Sequence, residues 1–184
     1  MLNQLKQKLT GKTAVLGVVG LGYVGLPLAV EKAKAGFHVI GFDVQKSKVD
    51  MVNSGYNYIG DVVNEDLKAI VDSGNLKATY EFAEVASCDC VCIAVPTPLD
   101  VHQQPDISYV ESSARSMLPF IHPGMLIVLE STTYPGTTEE LLKPIFESTG
   151  LVCGKDFFLA FSPERVDPGN LIYKTKNTDR KSVV

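Results

Sequence analysis

The stretch Thr13 to Leu28, TAVLGVVGLGYVGLPL, restricts the fold of this chain more than any other. It opens with an apolar run, Ala14 to Val19, of the length of a buried strand. It then turns through Gly20-Leu21-Gly22-Tyr23-Val24-Gly25 and enters the helix-like segment Leu26 to Ala35. Strand, glycine turn and helix in this order are what a dinucleotide site requires. Gly20 permits the tight turn, Gly22 keeps a side chain out of the path of a pyrophosphate, and Gly25 lets helix and strand pack closely. Free N–H groups and partial positive charge at the helix start, next to Tyr23 and Val24, then face the phosphates. A second strand, Val39-Ile40-Gly41-Phe42-Asp43, ends in an acid 23 residues after Gly20. That is near the roughly 20-residue spacing at which a carboxylate meets the adenosine ribose hydroxyls. A carboxylate there repels the extra phosphate of NADP, so NAD is the expected cofactor, although Lys46 and Lys48 stand close by and pull the other way. The competing reading is a glycine turn in an unrelated α/β protein with an ordinary surface Asp43; the strand–turn–helix context argues against it.

The rest of the chain alternates strand-like and helical segments. After a polar, turn-rich stretch from Asn53 to Gly60, Asp61 is placed to cap a helix whose stripe is Val62, Val63, Leu67, Ile70 and Val71. Leu76 to Tyr80 reads as a third strand and Cys90 to Val95 as one buried on both faces, stopped by Pro96-Thr97-Pro98. A helix ending near Pro119, a strand Met125 to Leu129, a helix Thr138 to Phe146 and a strand Phe157 to Phe161 complete the series. Strands separated by helices imply a doubly wound parallel sheet of the Rossmann type, about six strands with helices on both faces. The later strands end in PTP, STT and SPE, so polar groups gather at the carboxyl edge, where open parallel sheets bind ligands. Loops are polar in general, which explains any one of these ends more easily than all three.

Composition narrows the function classes. A net charge of −4 gives no electrostatic case for nucleic acid or an anionic membrane surface. No apolar run reaches the roughly 18 residues of a membrane helix. The opening MLNQLKQKLTGK lacks an apolar signal core and reads as a short amphipathic helix with Leu2, Leu5 and Leu9 on one side, so a cytoplasmic protein is expected. Cys88, Cys90 and Cys92 alternate, would share one strand face and read as core filler; Cys153 reads as a loop residue, and the four show no zinc-ligand spacing. No metal is expected. His38, His102 and His122 read as surface or turn residues.

Five blocks in order resemble the UDP-glucose/GDP-mannose dehydrogenase family of nucleotide-sugar 6-dehydrogenases: GLGYVGLPLA at Gly20, CIAVPTPLD at Cys92, PDISYVESSA at Pro105, STTYPGTTEE at Ser131 and FSPERVDPGN at Phe161. The last block looks most like the branch acting on UDP-N-acetylhexosamines, as in surface-polysaccharide synthesis. The resemblance implies oxidation of a sugar C6 alcohol to a carboxylate with two NAD molecules, through a thioester on a cysteine. It implies Gly20, Gly22 and Gly25 at the pyrophosphate, Asp43 at the ribose, and Tyr23, Val24, Lys48 and Thr97 close to the cofactor. Thr132 is implied to help hold the catalytic water beside the cofactor, and Glu164 to act as general base beside the substrate. Pairing with Arg165 is the other reading of Glu164, and Ser131 and Thr133 compete with Thr132.

None of the four cysteines matches the family nucleophile. The expected organisation is an extension at residues 1–12, an NAD-binding domain at 13–177 and an atypical tail at 178–184. The expectation is an N-terminal cofactor domain cut short, whether by design, gene truncation or frameshift, that needs a missing C-terminal half to engage its nucleotide-sugar substrate. A stand-alone dinucleotide-binding module without turnover is the alternative. A hydroxyacid or 6-phosphogluconate type dehydrogenase shares the glycine turn but not the later blocks. Surfaces left bare in a lone domain make homo-oligomers an expectation.

Overall fold

Alternation within the strands is what builds this molecule. In the computed structural model, which describes residues 1–99 and 103–164, β1 (Val15–Val19) sends Leu16 and Val18 into one apolar cluster and Val15 and Val19 into another. The same two-sided burial recurs in β2 (His38–Phe42), β4 (Cys90–Ile93) and β5 (Leu126–Leu129), with β3 (Leu76–Thr79) and β6 (Phe158–Phe161) at the edges. All pairings are parallel, in the order β3-β2-β1-β4-β5-β6. The chain winds outward from β1 to β3, then crosses back to β4 on the other side of β1. The crevice above the carboxyl ends of β1 and β4 is therefore the switch point where such sheets take ligands.

Helices cover both faces. Helix α1 (Leu2–Thr10) precedes β1, and α2 (Gly25–Lys34), α3 (Lys46–Asn53) and α4 (Asn64–Asp72) lie on the first cluster through Leu26, Ala29, Val30, Val49, Val52, Leu67 and Ile70. On the second cluster, α5 (Ser108–Met117) and α6 (Lys143–Glu147) bury Val110, Ala114, Met117, Ile145 and Phe146. The expected doubly wound parallel sheet is the one observed.

Four local expectations change. Cys88 lies before β4, as the first residue after a 3-10 turn (Phe82–Ser87), and packs on the second cluster, opposite Cys90 and Cys92; the exit from the turn, not the strand period, sets its direction. All three thiols are buried. Asp61 does not cap α4: the helix begins at Asn64 after Val63, because the side chains of Asn57 and Asn64 already close the preceding loop. In α1 only Leu5 is buried; Leu2 is 46% exposed and Leu9 is half-buried against the first cluster. The helix before β6 opens as a π-turn, Thr137–Leu142, in which Lys143 N–H reaches back to the Thr138 carbonyl. Pro144 follows it; a proline has no N–H and its ring presses on the carbonyl four residues back, which a wider turn relieves. His38 is exposed at the start of β2, and His102 lies outside the described residues. No helix among the described residues is long and apolar enough to cross a membrane.

Candidate functional site

The glycine turn is shaped by three different steric demands. Gly20 has φ +91°, and a Cβ there would lie 2.8 Å from the Ala94 carbonyl oxygen, so it keeps β1 and β4 close at their ends. A Cβ on Gly25 would sit 1.7 Å from the Gly20 carbonyl oxygen; the first turn of α2 thus packs directly on the turn that precedes it. Around Gly22 a Cβ would meet nothing within 4 Å: the space above it is open to the cleft. Helix α2 starts without a capping side chain at Val24 and without an acid in its first turn. Its positive end is left for an anion.

Asp43, at 7% exposure, ties the second strand to this turn. One carboxylate oxygen accepts the Leu21 N–H at 2.9 Å, the other accepts the Gln45 N–H at 2.9 Å, and Lys48 Nζ stands 3.6 Å away. The opposite side of Leu21 is held as well: the Tyr58 phenol donates to its carbonyl at 2.7 Å. Burial, then the negative charge of Asp43, pushes the Tyr58 hydroxyl well above the ordinary tyrosine pKa, so it remains a donor. Gly41 completes the arrangement, since a Cβ there would come within 2.8 Å of the Leu21 side chain.

These strand ends enclose a cleft of about 330 Å³. Gly20, Gly22, Tyr23, Val24, Asp43 and Lys48 line one part; Thr97, Thr132 and Glu164 line the other, so each of these sequence-derived candidates meets here. Gly25 lies beneath. The three hydroxyls after β5 separate: Ser131 donates to the Val95 carbonyl at 2.7 Å, Thr133 pairs with the Thr137 hydroxyl at 2.6 Å, and Thr132 is exposed in the cleft wall. Arg165, the competing partner of Glu164, lies outside the described residues, as does the tail at 178–184.

Sequence reasoning missed Glu130, Tyr58 and Gly41. Glu130 is 4% exposed in the cleft wall at the end of β5, and the only signal for it was its place before the STT block. Nothing in the local pattern marked Tyr58. A larger cavity of about 580 Å³ lies by β6 and the π-turn, lined by Tyr134, Lys143 and Cys153 among others; it holds neither the glycine turn nor Asp43. The glycine turn and Asp43 are found only at the smaller of these two cavities. Cys153 lines that other cavity and the remaining cysteines are in the core, so among the described residues no thiol reaches the cleft. No cluster of metal-ligating side chains occurs among them either.

Known proteins resemble this chain in sequence and in fold. The chain is 40% identical over 159 residues to protein CapL of Staphylococcus aureus, covering 86% of this chain and 36% of that protein. It is 37% identical over 160 residues to the UDP-N-acetyl-D-glucosamine 6-dehydrogenase of Pseudomonas aeruginosa, again 86% of this chain and 37% of the other. The crystal structure of an NDP-N-acetyl-D-galactosaminuronic acid dehydrogenase from Methanosarcina mazei superposes with a TM-score of 0.85 at 36% identity, over 97% of this chain and 40% of that one. The chain thus spans less than half the length of these relatives. The model of the NAD-binding domain of one dehydrogenase family matches residues 14–183, and NAD is the cofactor of that domain. On that match, and on a cleft built as a dinucleotide site, the chain belongs to the UDP-glucose/GDP-mannose dehydrogenase family through its NAD-binding domain.

Proposed function

We propose that this chain is the cofactor-holding part of a nucleotide-sugar 6-dehydrogenase and that, by itself, it binds NAD without turning over a sugar. The observation that carries the reading is the cleft itself: an open glycine turn, an uncapped helix start and a buried acid converge there, while the described cysteines lie elsewhere. Gly22 leaves room for the pyrophosphate, Asp43 and Lys48 meet the ribose, and Tyr23, Val24 and Thr97 border the cofactor. NAD, when bound, supplies the hydride acceptor. Thr132 holds a water as both donor and acceptor, and Glu164, on the same wall, takes its proton when a thioester is hydrolysed. The nucleophilic cysteine and the greater part of the sugar site then belong to the portion of the relatives this chain does not span. UDP-N-acetylhexosamines are the proposed substrate class, supported by the relatives' names. A cytoplasmic location fits four free thiols.

Incubation with NAD and UDP-N-acetylhexosamines tests this. We expect a saturable NAD titration and a thermal upshift, since a ligand at a hundredfold its Kd stabilises by about 2.7 kcal/mol, with no NADH formed. Steady NADH production by the purified chain would refute the module reading in favour of a complete enzyme. Self-association belongs to the same proposal, and Tyr134, 43% exposed by the larger cavity, is one apolar group available for it. A strictly monomeric mass by light scattering removes it.

A further inference from the structure

The cleft wall is formed by backbone as much as by side chains, and one peptide in it is held from both sides. Leu21 lies between Gly20 and Gly22 with its side chain fully buried. Its N–H is fixed by Asp43 and its carbonyl by the Tyr58 phenol, 2.7 Å away and 37 positions along the chain. A trans peptide is planar, with its C=O and the following N–H directed oppositely. The group that fixes the Leu21 carbonyl therefore fixes the Gly22 N–H, and Gly22 faces open space in the cleft.

We propose that Tyr58 is a positioning residue for the cofactor: its hydroxyl holds the Leu21–Gly22 peptide so that the Gly22 N–H is presented to the pyrophosphate. The loop that carries Tyr58 is built to be stiff. The Asn57 side chain donates to the carbonyls of Ile59 and Val62 and accepts the Ile59 N–H at 2.6 Å, while Asn64 accepts the Asn57 N–H at 2.9 Å. The Tyr58 ring itself packs, half-buried, against the first apolar cluster. Orientation of this kind costs nothing at the moment of binding, because the donor is aimed before the anion arrives. Without the phenol, the peptide can rotate toward solvent and the Gly22 N–H loses its direction.

The inference rests on the NAD-binding reading, and the experiment separates the two. Tyr58→Phe keeps the ring and its packing and removes only the hydroxyl. Titration with NAD and with ADP-ribose should show both weakened by the same factor, about three- to tenfold, the span of one net hydrogen bond. The thermal midpoint without ligand should stay within a few degrees of the unsubstituted chain. In amide-resolved NMR, the Gly22 resonance should move strongly on NAD addition in the unsubstituted chain and weakly in the variant. Asn57→Ala, which loosens the loop but keeps the phenol, should weaken NAD in the same direction. Equal NAD affinity with and without the hydroxyl, or a loss of thermal stability with affinity and the Gly22 shift unchanged, overturns the proposal and leaves NAD binding intact. Failure of the unsubstituted chain to bind NAD overturns both.

Discussion

Three glycines of one turn serve three separate purposes, and substitution separates them. Gly25→Ala forces a methyl to 1.7 Å from the Gly20 carbonyl oxygen, so backbone must move. We expect a loss of about 3 kcal/mol or more, in the range of severe overpacking, read as a lower denaturant midpoint. Gly22→Ala meets no atom within 4 Å and sits outside the left-handed region. Its stability should hold within about 0.5 kcal/mol while NAD affinity falls, because the methyl fills the pyrophosphate path. Asp43→Ala should act on both: Leu21 and Gln45 N–H groups lose their acceptor, and the ribose loses its partner. Hydrogen bonds to a charged group are worth about 1.5–3 kcal/mol each, so we expect NAD affinity to drop at least tenfold in a titration. The glycines and Asp43 were legible because their spacing is local. Which of Ser131, Thr132 and Thr133 is left exposed in the cleft wall was not, since three adjacent residues of similar chemistry differ only in direction.

Among the elements, α1 meets the base of the sheet through Leu5 and Leu9 and through one acid. Asp89 accepts both Lys8 Nζ at 2.6 Å and the Val15 N–H at 3.0 Å. Lys8 is half exposed, and an exposed ion pair contributes about 1 kcal/mol or less. Asp89→Ala also strands the Val15 N–H at the start of β1, so it should cost about 1–3 kcal/mol. Lys8→Ala should cost less than the loss of Asp89, and urea denaturation of the two variants checks the order. Helix periods and strand lengths were readable along the chain. The π-turn before Pro144 was not, because the hydrophobic stripe of Thr138 to Phe146 is compatible with either winding. Cys88 was assigned to the wrong face for a similar reason: alternation is meaningful only once the strand has begun.

For the molecule as a whole, the two apolar clusters determine thiol chemistry. Burial pushes Cys88 from its ordinary 9.0 up to about 12, and burial also raises Cys153, which is nevertheless partly exposed. A raised thiol pKa means a protonated, unreactive group at neutral pH. A thiol-specific reagent should therefore label Cys153 first, at a rate that climbs with pH, and reach Cys88, Cys90 and Cys92 only on unfolding. Rapid labelling of more than one site in the folded chain contradicts this packing. The sign for stability is the same: with the folded pKa of Cys88 raised, its contribution is complete below pH 9.0 and is lost as pH climbs toward about 12.

The sequence alone determined the strand–turn–helix opening, the acid 23 residues beyond Gly20, the parallel order of alternating elements and the resemblance to a dehydrogenase family. These are encoded in spacing and period, which the chain carries whatever its packing. Only the tertiary structure decided that Thr132 is exposed in the cleft wall while Ser131 bonds across to the Val95 carbonyl and Thr133 to Thr137, that Glu130 joins the wall, and that Tyr58 reaches Leu21 across 37 positions. Such contacts depend on side-chain direction and on which elements the sheet brings together, and neither is written in any local stretch of residues.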